Sequence, residues 1–519
     1  MTANRRILLN IVATYGRSLY GLVCGLFVWR WVLMALGEVD YGLVGVVGGL
    51  TGFMSFINSI LSVSVSRFYA FSVGAASVAE DVQGGIEECR KWFNTAFVLH
   101  AVVSIALIII GYPIGLWAVR EFLTIPPDRI DACVWVWRFV CIGCFVSMFT
   151  VPFSAMYTAK QYIAELTIYS FVTTTLNVFV LYYMVMHPGD WLVRYSFWTM
   201  LVAVVPSVII ASRAMFIFPE CRFNKAYFFS RIRIRQLMVF GSGRAFGVFA
   251  SLLSNQGVAI VVNKFLGPAK NATMTLGRGV MAQTITLASA MSGAFAPAIT
   301  TAAGAGDISR MQRLVFATCT YSTLGMLLFC IPFCLEVDEV LRLWLKNPPE
   351  HAGSFCICLV VMNVVERMCE GHWMAIFAMG RVVKFQMVES VGSLVDFCAA
   401  LLLTMMGCGI VGVGVALILG RVYALCVKIY YGRKMAEISF SEWVFKVFVP
   451  ILFFCLMVFL CGCLPRWVFP ESILRVGLTS LTCLIVSLPV AWFVVLRKED
   501  RIVIANKVTA LKYWMRGRS

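Results

Sequence analysis

The chain has 519 residues, 61% of them hydrophobic and only 13% charged, with a mean hydropathy of +0.87. Soluble proteins carry about 25% charged and 45–50% apolar residues, so the composition excludes an ordinary soluble enzyme, a disordered chain and a secreted disulfide scaffold. A net charge of +17 would suggest nucleic acid in a soluble domain, but here the charge sits in short loops between apolar runs, which membrane topology explains better and which leaves no nucleic-acid partner.

Apolar runs long enough to cross a bilayer recur from end to end. The expected fold is all-α, a polytopic membrane protein of about fourteen transmembrane helices. They fall near 7–35, 41–70, 94–118, 133–157, 163–186, 195–217, 237–265, 274–300, 314–334, 352–379, 386–406, 411–430, 443–464 and 473–495. The eighth and tenth are the least apolar. The first run, from Ile7, is too long for a signal-peptide core and lacks a small-residue cleavage site, so it reads as a spanning helix.

An even number of spans puts both termini on one side. That side holds about 27 of the 43 Lys and Arg, counted from Arg5 through Arg213–Arg235 and Lys428–Lys446 to the tail, against about nine opposite. Both termini are therefore expected in the cytoplasm. No loop exceeds roughly 20 residues, which leaves no room for a soluble catalytic domain. The basic, aromatic loop Cys221–Gln236 either touches anionic headgroups on the inner surface or is a connector obeying the positive-inside rule, and the connector reading is preferred. The tail Arg497–Ser519 reads the same way.

Most of the nineteen cysteines, Cys24, Cys144, Cys330 and Cys455 among them, lie inside apolar runs and read as small packing residues. Cys141-x-x-Cys144 and Cys461-x-Cys463 have metal-like spacing, but each lies in a span with no His or acidic partner nearby. No metal and no bound cofactor is expected, only H+ or Na+ as a coupling ion.

Gly16-Arg17 and Leu36-Gly37 in the first span are echoed by Gly243-Arg244 and Leu266-Gly267 in the seventh. An even number of spans separates the copies, so the repeat is parallel. Polar and small residues form stripes on the first two helices of each copy: Asn10, Thr14, Arg17, Ser18 and Gly21; Thr51, Ser55, Asn58, Ser59, Ser62 and Ser66; Arg244, Gly247, Ser251 and Asn255; Thr275, Arg278, Ala282, Thr286, Ser289 and Gly293. Helix packing accounts for the glycines and serines, and for Gly45-x-x-x-Gly49 and Gly48-x-x-x-Gly52. An arginine on the same stripe favours a water-filled cavity. Arg17 lies ~15 Å and Arg244 ~10 Å below the membrane edge at helical rise.

Ionisable groups inside a membrane usually face a cavity or a partner. The tenth span carries Glu366, Arg367, Glu370 and His372, where Arg367 and Glu370 can pair on one face. The cluster is either a proton or cation site or a neutral salt bridge. Asp396 is a candidate partner for Arg367, Arg421 or a cation. His100 reads as a packing residue. Glu336, Asp338 and Glu339 read as a solvated loop edge. Unpaired arginines in a wet cavity attract anions, and the planar guanidinium suits phosphate.

The opening Arg5-Arg6-Ile7-Leu8-Leu9-Asn10, the Gly16-Arg17 pair and Leu36-Gly37-x-x-Asp40-Tyr41-Gly42-Leu43 resemble the bacterial oligosaccharide flippase (Wzx-like) group. Ile125-Pro126-Pro127-Asp128-Arg129 and Ala378-Met379-Gly380-Arg381 resemble it too. This is the polysaccharide-transporter branch of the superfamily that also holds the MATE exporters and the lipid II flippases. The resemblance covers nearly the whole chain. It implies a six-helix lobe over 1–217, a cytoplasmic basic linker over 218–236, a second six-helix lobe over 237–430, and an added helix pair with a basic tail over 431–519. It also implies that the first two helices of each lobe line a central cavity, with Arg17 and Arg278 on the helices whose arginines handle the diphosphate in the lipid II branch.

The expected function is a flippase of a bacterial inner membrane. It would move a polyprenyl-diphosphate-linked oligosaccharide to the outer leaflet by alternating access, for cell-surface polysaccharide synthesis beside a polymerase and other assembly proteins. Arg17, Arg244, Arg278, Arg421, Asn58 and Asn255 are the candidate substrate residues, and Glu366, Glu370 and Asp396 the candidate coupling residues. The alternative is a cation-coupled MATE-type drug exporter, for which the first span offers no mid-span carboxylate. A membrane glycosyltransferase or polymerase finds no carboxylate or metal site with a supporting loop.

Overall fold

The computed structural model describes residues 3–78, 82–160, 162–293, 295–380, 382–496 and 501. Side chains within 3–15, 240–244 and 286–291, among others, lie outside that description, and with them the expectations for Arg5, Arg6, Asn10, Thr14, Ser18, Ser59, Thr286 and Ser289. Arg381 and the tail beyond Arg501 lie outside it as well.

The chain is all-α, and no strand occurs among the described residues. The first group of helices is α1 (Ala3–Gly49), α2 (Thr51–Val78), α3 (Val82–Trp117), α4 (Ile130–Ala159), α5 (Ile163–Met186) and α6 (Leu192–Ile217). After the linker come α7 (Arg231–Leu252), α8 (Val258–Leu266), α9 (Pro268–Gly293), α10 (Ala296–Gly304), α11 (Ile308–Leu335) and α12 (Val337–Leu345). They are followed by α13 (Ala352–Arg367), α14 (Glu370–Ala378), α15 (Val382–Met405) and α16 (Gly409–Ala436). The last are α17 (Phe440–Trp443), α18 (Val449–Gly462), α19 (Leu464–Val468) and α20 (Ile473–Val490).

Among the described residues, 11 helices are long and apolar enough to cross a membrane, and 12 if the pair α13–α14 is one bent span. The chain is a multi-pass membrane protein. The expected spans 41–70 and 274–300 fall on the end of α1 with α2 and on α9, and α2 and α9 are outside that set, which covers the described residues alone. Both have the length of a span, 28 and 26 residues, and both carry a polar stripe.

The tenth expected span is broken where its charges sit. The axes of α13 and α14 meet at 42°, with Arg367 closing one helix and Glu370 opening the next. A break inside a membrane strips carbonyls of their helical partners. Here the Trp443 indole N–H donates to the Met368 carbonyl at 2.9 Å, so the freed acceptor is satisfied from a neighbouring helix.

The two echoes of the sequence repeat share an unusual backbone. Gly37 has φ 75° and ψ 175°, and Gly267 has φ 86° and ψ 173°. Only glycine occupies this region readily, because a Cβ would meet the backbone. At Gly37 the chain turns sharply inside α1, so the first expected span ends there and the run to Gly49 is a separate helical segment. At Gly267 it turns from α8 into α9.

Packing divides the chain into two compact units, one of Met1–Gly279, Pro349–His351 and Ser393–Leu417, the other of Val280–Pro348, Ala352–Gly392 and Ile418–Ser519. The first unit has two apolar clusters. One gathers Leu43, Val47, Met54, Val119, Trp137 and Leu192, and the other Tyr69, Phe93, Phe153, Met156 and Tyr157. The second unit is built around α11, whose Met311, Val315, Phe316 and Cys319 pack with Met368, Trp443, Phe454 and Cys483.

In the first unit, the motif that follows Gly37 is a contact surface. A Cβ on Gly42 would overlap the Pro268 carbonyl just after the second corner, and one on Gly45 would overlap the Thr275 hydroxyl. Gly49 and Gly52 face Gln256, whereas nothing lies within 4 Å of a Cβ on Gly48. Three of the four glycines in the two paired motifs thus serve close helix approach. Gly42→Ala is expected to cost about 1–3 kcal/mol through overpacking against backbone that cannot move aside, and Gly48→Ala to be neutral or stabilising. Melting temperatures of the two detergent-purified variants decide it, and equal temperatures would remove the corner contact.

Candidate functional site

The polar stripes are the first place to look for a site, because packing would have buried them. Arg17 on α1 is exposed, and no carboxylate pairs with it among the described residues. On α2, Ser55 is exposed, and Thr51, Asn58, Ser62 and Ser66 are half-buried. The Asn58 Oδ1 atom is itself buried without a hydrogen-bond partner among the described residues. Along α7 and the π-turn after it, Ser251 and Asn255 are exposed, and Asn255 donates to the Ser251 carbonyl at 2.8 Å and hydroxyl at 3.4 Å. Thr275 and Arg278 on α9 are half-buried. No described stripe residue is fully buried. The backbone of α7 carries Arg244, but its side chain lies outside the described residues.

Arg278 and Asp396 were expected in different roles, and the structure ties them together. Arg278 donates through Nη2 to the Ser254 carbonyl at 3.3 Å. The Ser254 hydroxyl donates to Asp396 Oδ2 at 2.7 Å. Asp396 is fully buried, and its charge attracts the Arg278 guanidinium. Ser254 lies in the π-turn Leu253–Gly257 between α7 and α8, a local widening of the helix that often marks functional positions.

The second unit gathers the other buried charges around the α13–α14 break. Arg367 pairs with Glu370 at 3.3 Å, as their spacing predicted. Arg421 on α16 lies 3.9 Å from Glu366, so this candidate substrate residue sits with a coupling carboxylate. Lys428 Nζ lies 3.8 Å from Glu366 and 3.4 Å from Glu389. Lys428 is a correction. The sequence reading counted it among the loop charges, but α16 continues to Ala436 and leaves its side chain only 4% exposed. The signal was its position seven residues, two turns, beyond Arg421 on the same helix face. Glu389, on α15, was missed altogether. His372 is buried with its Nδ1 3.7 Å from the Cys319 sulfur. His100 is likewise a buried packing residue, bonded to the Ala96 carbonyl at 2.8 Å.

Two further clusters lie near helix ends. In the first unit, buried Asp40 pairs with Arg129 at 3.3 Å, and Arg129 also pairs with Asp190 at 2.7 Å. Two segments of the sequence resemblance therefore meet in one ion pair. In the second unit, Glu336 is 2% exposed. It accepts from Arg475 at 2.8 Å and from Thr479 at 2.9 Å. This overturns the reading of Glu336 as a solvated loop edge, because α20 brings a cation over it. Among the described residues no three His, Cys, Asp or Glu side chains form a metal-sized group.

No family model matches the chain, and no curated protein matches it. Solved structures do. An inward-facing multidrug-resistance MATE-family transporter of the MOP superfamily is similar over 81% of this chain and 94% of its own, at 15% identity and a TM-score of 0.58. The lipid II flippase MurJ in an inward closed conformation is similar over 93% and 98%, at 11% identity and a TM-score of 0.59. A MOP-superfamily transporter from Pyrococcus furiosus, described as having a binding pocket of reversed polarity, is similar over 83% and 94%, at 15% identity and a TM-score of 0.51. The fold of this chain is thus the fold of MOP-superfamily transporters, which drug exporters and a lipid flippase share.

Removing one partner of a buried ion pair leaves the other uncompensated, at about 3–5 kcal/mol. Lys428→Met is expected to destabilise the purified protein by that order, and Lys428→Met with Glu389→Gln to recover part of it. Thermal unfolding of both variants tests this. A single variant as stable as the parent would take Lys428 out of the network.

Proposed function

We propose that the chain is a flippase for a polyprenyl-diphosphate-linked oligosaccharide, acting in a bacterial inner membrane with both termini in the cytoplasm. The diphosphate and sugars enter from the cytoplasmic leaflet while the lipid tail stays in the bilayer. Rocking of two six-helix lobes then turns the headgroup to the outer side. The observation that carries this reading is exposed Arg17 on α1, amid stripe residues none of which is fully buried among those described. Such a face needs water, and a charged stripe in water selects an anion. Arg17, Arg244 and Arg278 hold the diphosphate in this scheme, with Asn58 and Asn255 toward the sugars. A polymerase and other assembly proteins would take the product.

Glu366, Glu370 and Asp396 are the proposed coupling residues, for H+ or Na+. Two of them are half neutralised by cations already in place, Arg421 and Lys428 beside Glu366 and Arg367 beside Glu370. Uptake of a proton or cation there would loosen a pair and thereby reach the α13–α14 break. Asp396 reaches Arg278 through Ser254, which offers a direct link between the carboxylate and an arginine proposed for substrate. The membrane potential adds ~2.3 kcal/mol per charge moved through 100 mV.

A MATE-type drug exporter shares the fold. It would use a mid-span carboxylate on the first helices, whereas Asp40 is engaged by Arg129 and half-buried Glu38 lies two residues away, at the expected outer edge of the first span.

Replacing Arg17 and Arg244 with Ala is expected to cut outer-leaflet glycolipid in cells at least tenfold while membrane levels of the protein stay normal. Undiminished glycolipid would remove the diphosphate role.

A further inference from the structure

The basic linker between α6 and α7 is an ordered strap with two different sides. Its inner side is fastened to the end of α3. Arg90 donates to the Arg222 carbonyl at 3.1 Å and the Phe223 carbonyl at 3.3 Å. Asn94 donates to the Arg222 carbonyl at 3.1 Å and accepts from the Asn224 N–H at 2.9 Å. Thr95 donates to the Tyr227 carbonyl at 2.9 Å, and the Tyr227 hydroxyl donates to Glu87. The Phe223 ring packs on Phe97 at 4.7 Å.

The cations divide the same way. Those turned to the protein are paired: Lys160 with buried Glu220 at 2.5 Å, and Arg233 with Glu88 at 2.9 Å. Arg222, Lys225, Arg231 and Arg235 are exposed, and none of them pairs with a carboxylate among the described residues. Interleaved with these four are two bare apolar side chains, Phe229 at 77% and Ile232 at 72% exposure. Ile232 continues along α7 into exposed Val239, one helical repeat further on. A connector that only satisfies the charge bias needs the cations but has no use for a phenyl ring and an isoleucine held out beside them. Cations flanking apolar anchors, at the end of an apolar helix face, match a membrane–water boundary: the rings and branched chains enter the acyl edge, and the cations meet phosphate.

We infer that the outer side of this strap, Arg222, Lys225, Phe229, Arg231, Ile232 and Arg235, is a docking surface for anionic phospholipid headgroups of the leaflet it faces. On the sidedness expected from the charge bias, that is the cytoplasmic leaflet. Because the strap is hydrogen-bonded to α3 and runs into α7, headgroup binding there would bear on the junction between the sixth and seventh spans.

The test is native mass spectrometry of the full-length detergent-solubilised protein titrated with phosphatidylglycerol or with phosphatidylcholine, with inorganic phosphate added in a third arm. The parent is expected to bind phosphatidylglycerol at least tenfold more tightly than phosphatidylcholine, with the preference falling as salt rises. The K225Q/R231Q/R235Q variant is expected to lose most of that preference, and R231K/R235K to keep it. Competition by inorganic phosphate alone, as strong as by the lipid, would make the site a phosphate site and overturn the membrane assignment. So would a parent with no preference, or a triple variant that binds as the parent does. F229S/I232S, which leaves every charge in place, is expected to weaken both lipids severalfold, and unchanged binding would overturn the role of the apolar anchors.

Discussion

A charge carried into the apolar slab of a membrane must find water or an opposite charge, because neither lipid nor packed side chains can solvate it. That constraint sorts the ionisable groups of this chain into two kinds. Asp40 with Arg129, Glu336 with Arg475 and Lys428 with Glu366 and Glu389 have found partners. Arg17 has not, among the described residues, and it is exposed. The paired groups hold helices together, while the exposed arginine is left available to a ligand. Arg278 is intermediate, held by a carbonyl and drawn by Asp396 through a single serine.

The second constraint is steric and concerns the corners. Gly37 and Gly267 bend the chain with nearly the same torsions, and Gly42 lets the first copy of the repeat close onto the backbone of the second. These glycines have no chemistry of their own. The two corners fix where the segment that carries Arg17 ends and where the helix that carries Arg278 begins. The break between α13 and α14 serves the second unit in a comparable way, since it collects Glu366, Arg367 and Glu370 at one place with the Met368 carbonyl capped by Trp443.

What could be read from the sequence follows the range of the interaction. The all-α membrane class rests on composition, and the paired glycine corners on local doublets, so both were legible. Arg367 with Glu370 was legible because the partners are one turn apart. Glu336 was misread because its partner Arg475 lies 139 residues away. Lys428 was misread because a run of basic residues follows it and hides the end of the helix, and its relation to Arg421 was periodic rather than adjacent.

The central claim is that an arginine stripe open to water selects an anionic lipid headgroup. The direct measurement is translocation by the purified protein in liposomes, comparing one oligosaccharide on a polyprenyl diphosphate with the same oligosaccharide on an uncharged lipid. The account predicts protein-dependent movement of the diphosphate and little of the neutral analogue. Equal movement of both, or movement of neither under an imposed ion gradient and potential, would contradict it.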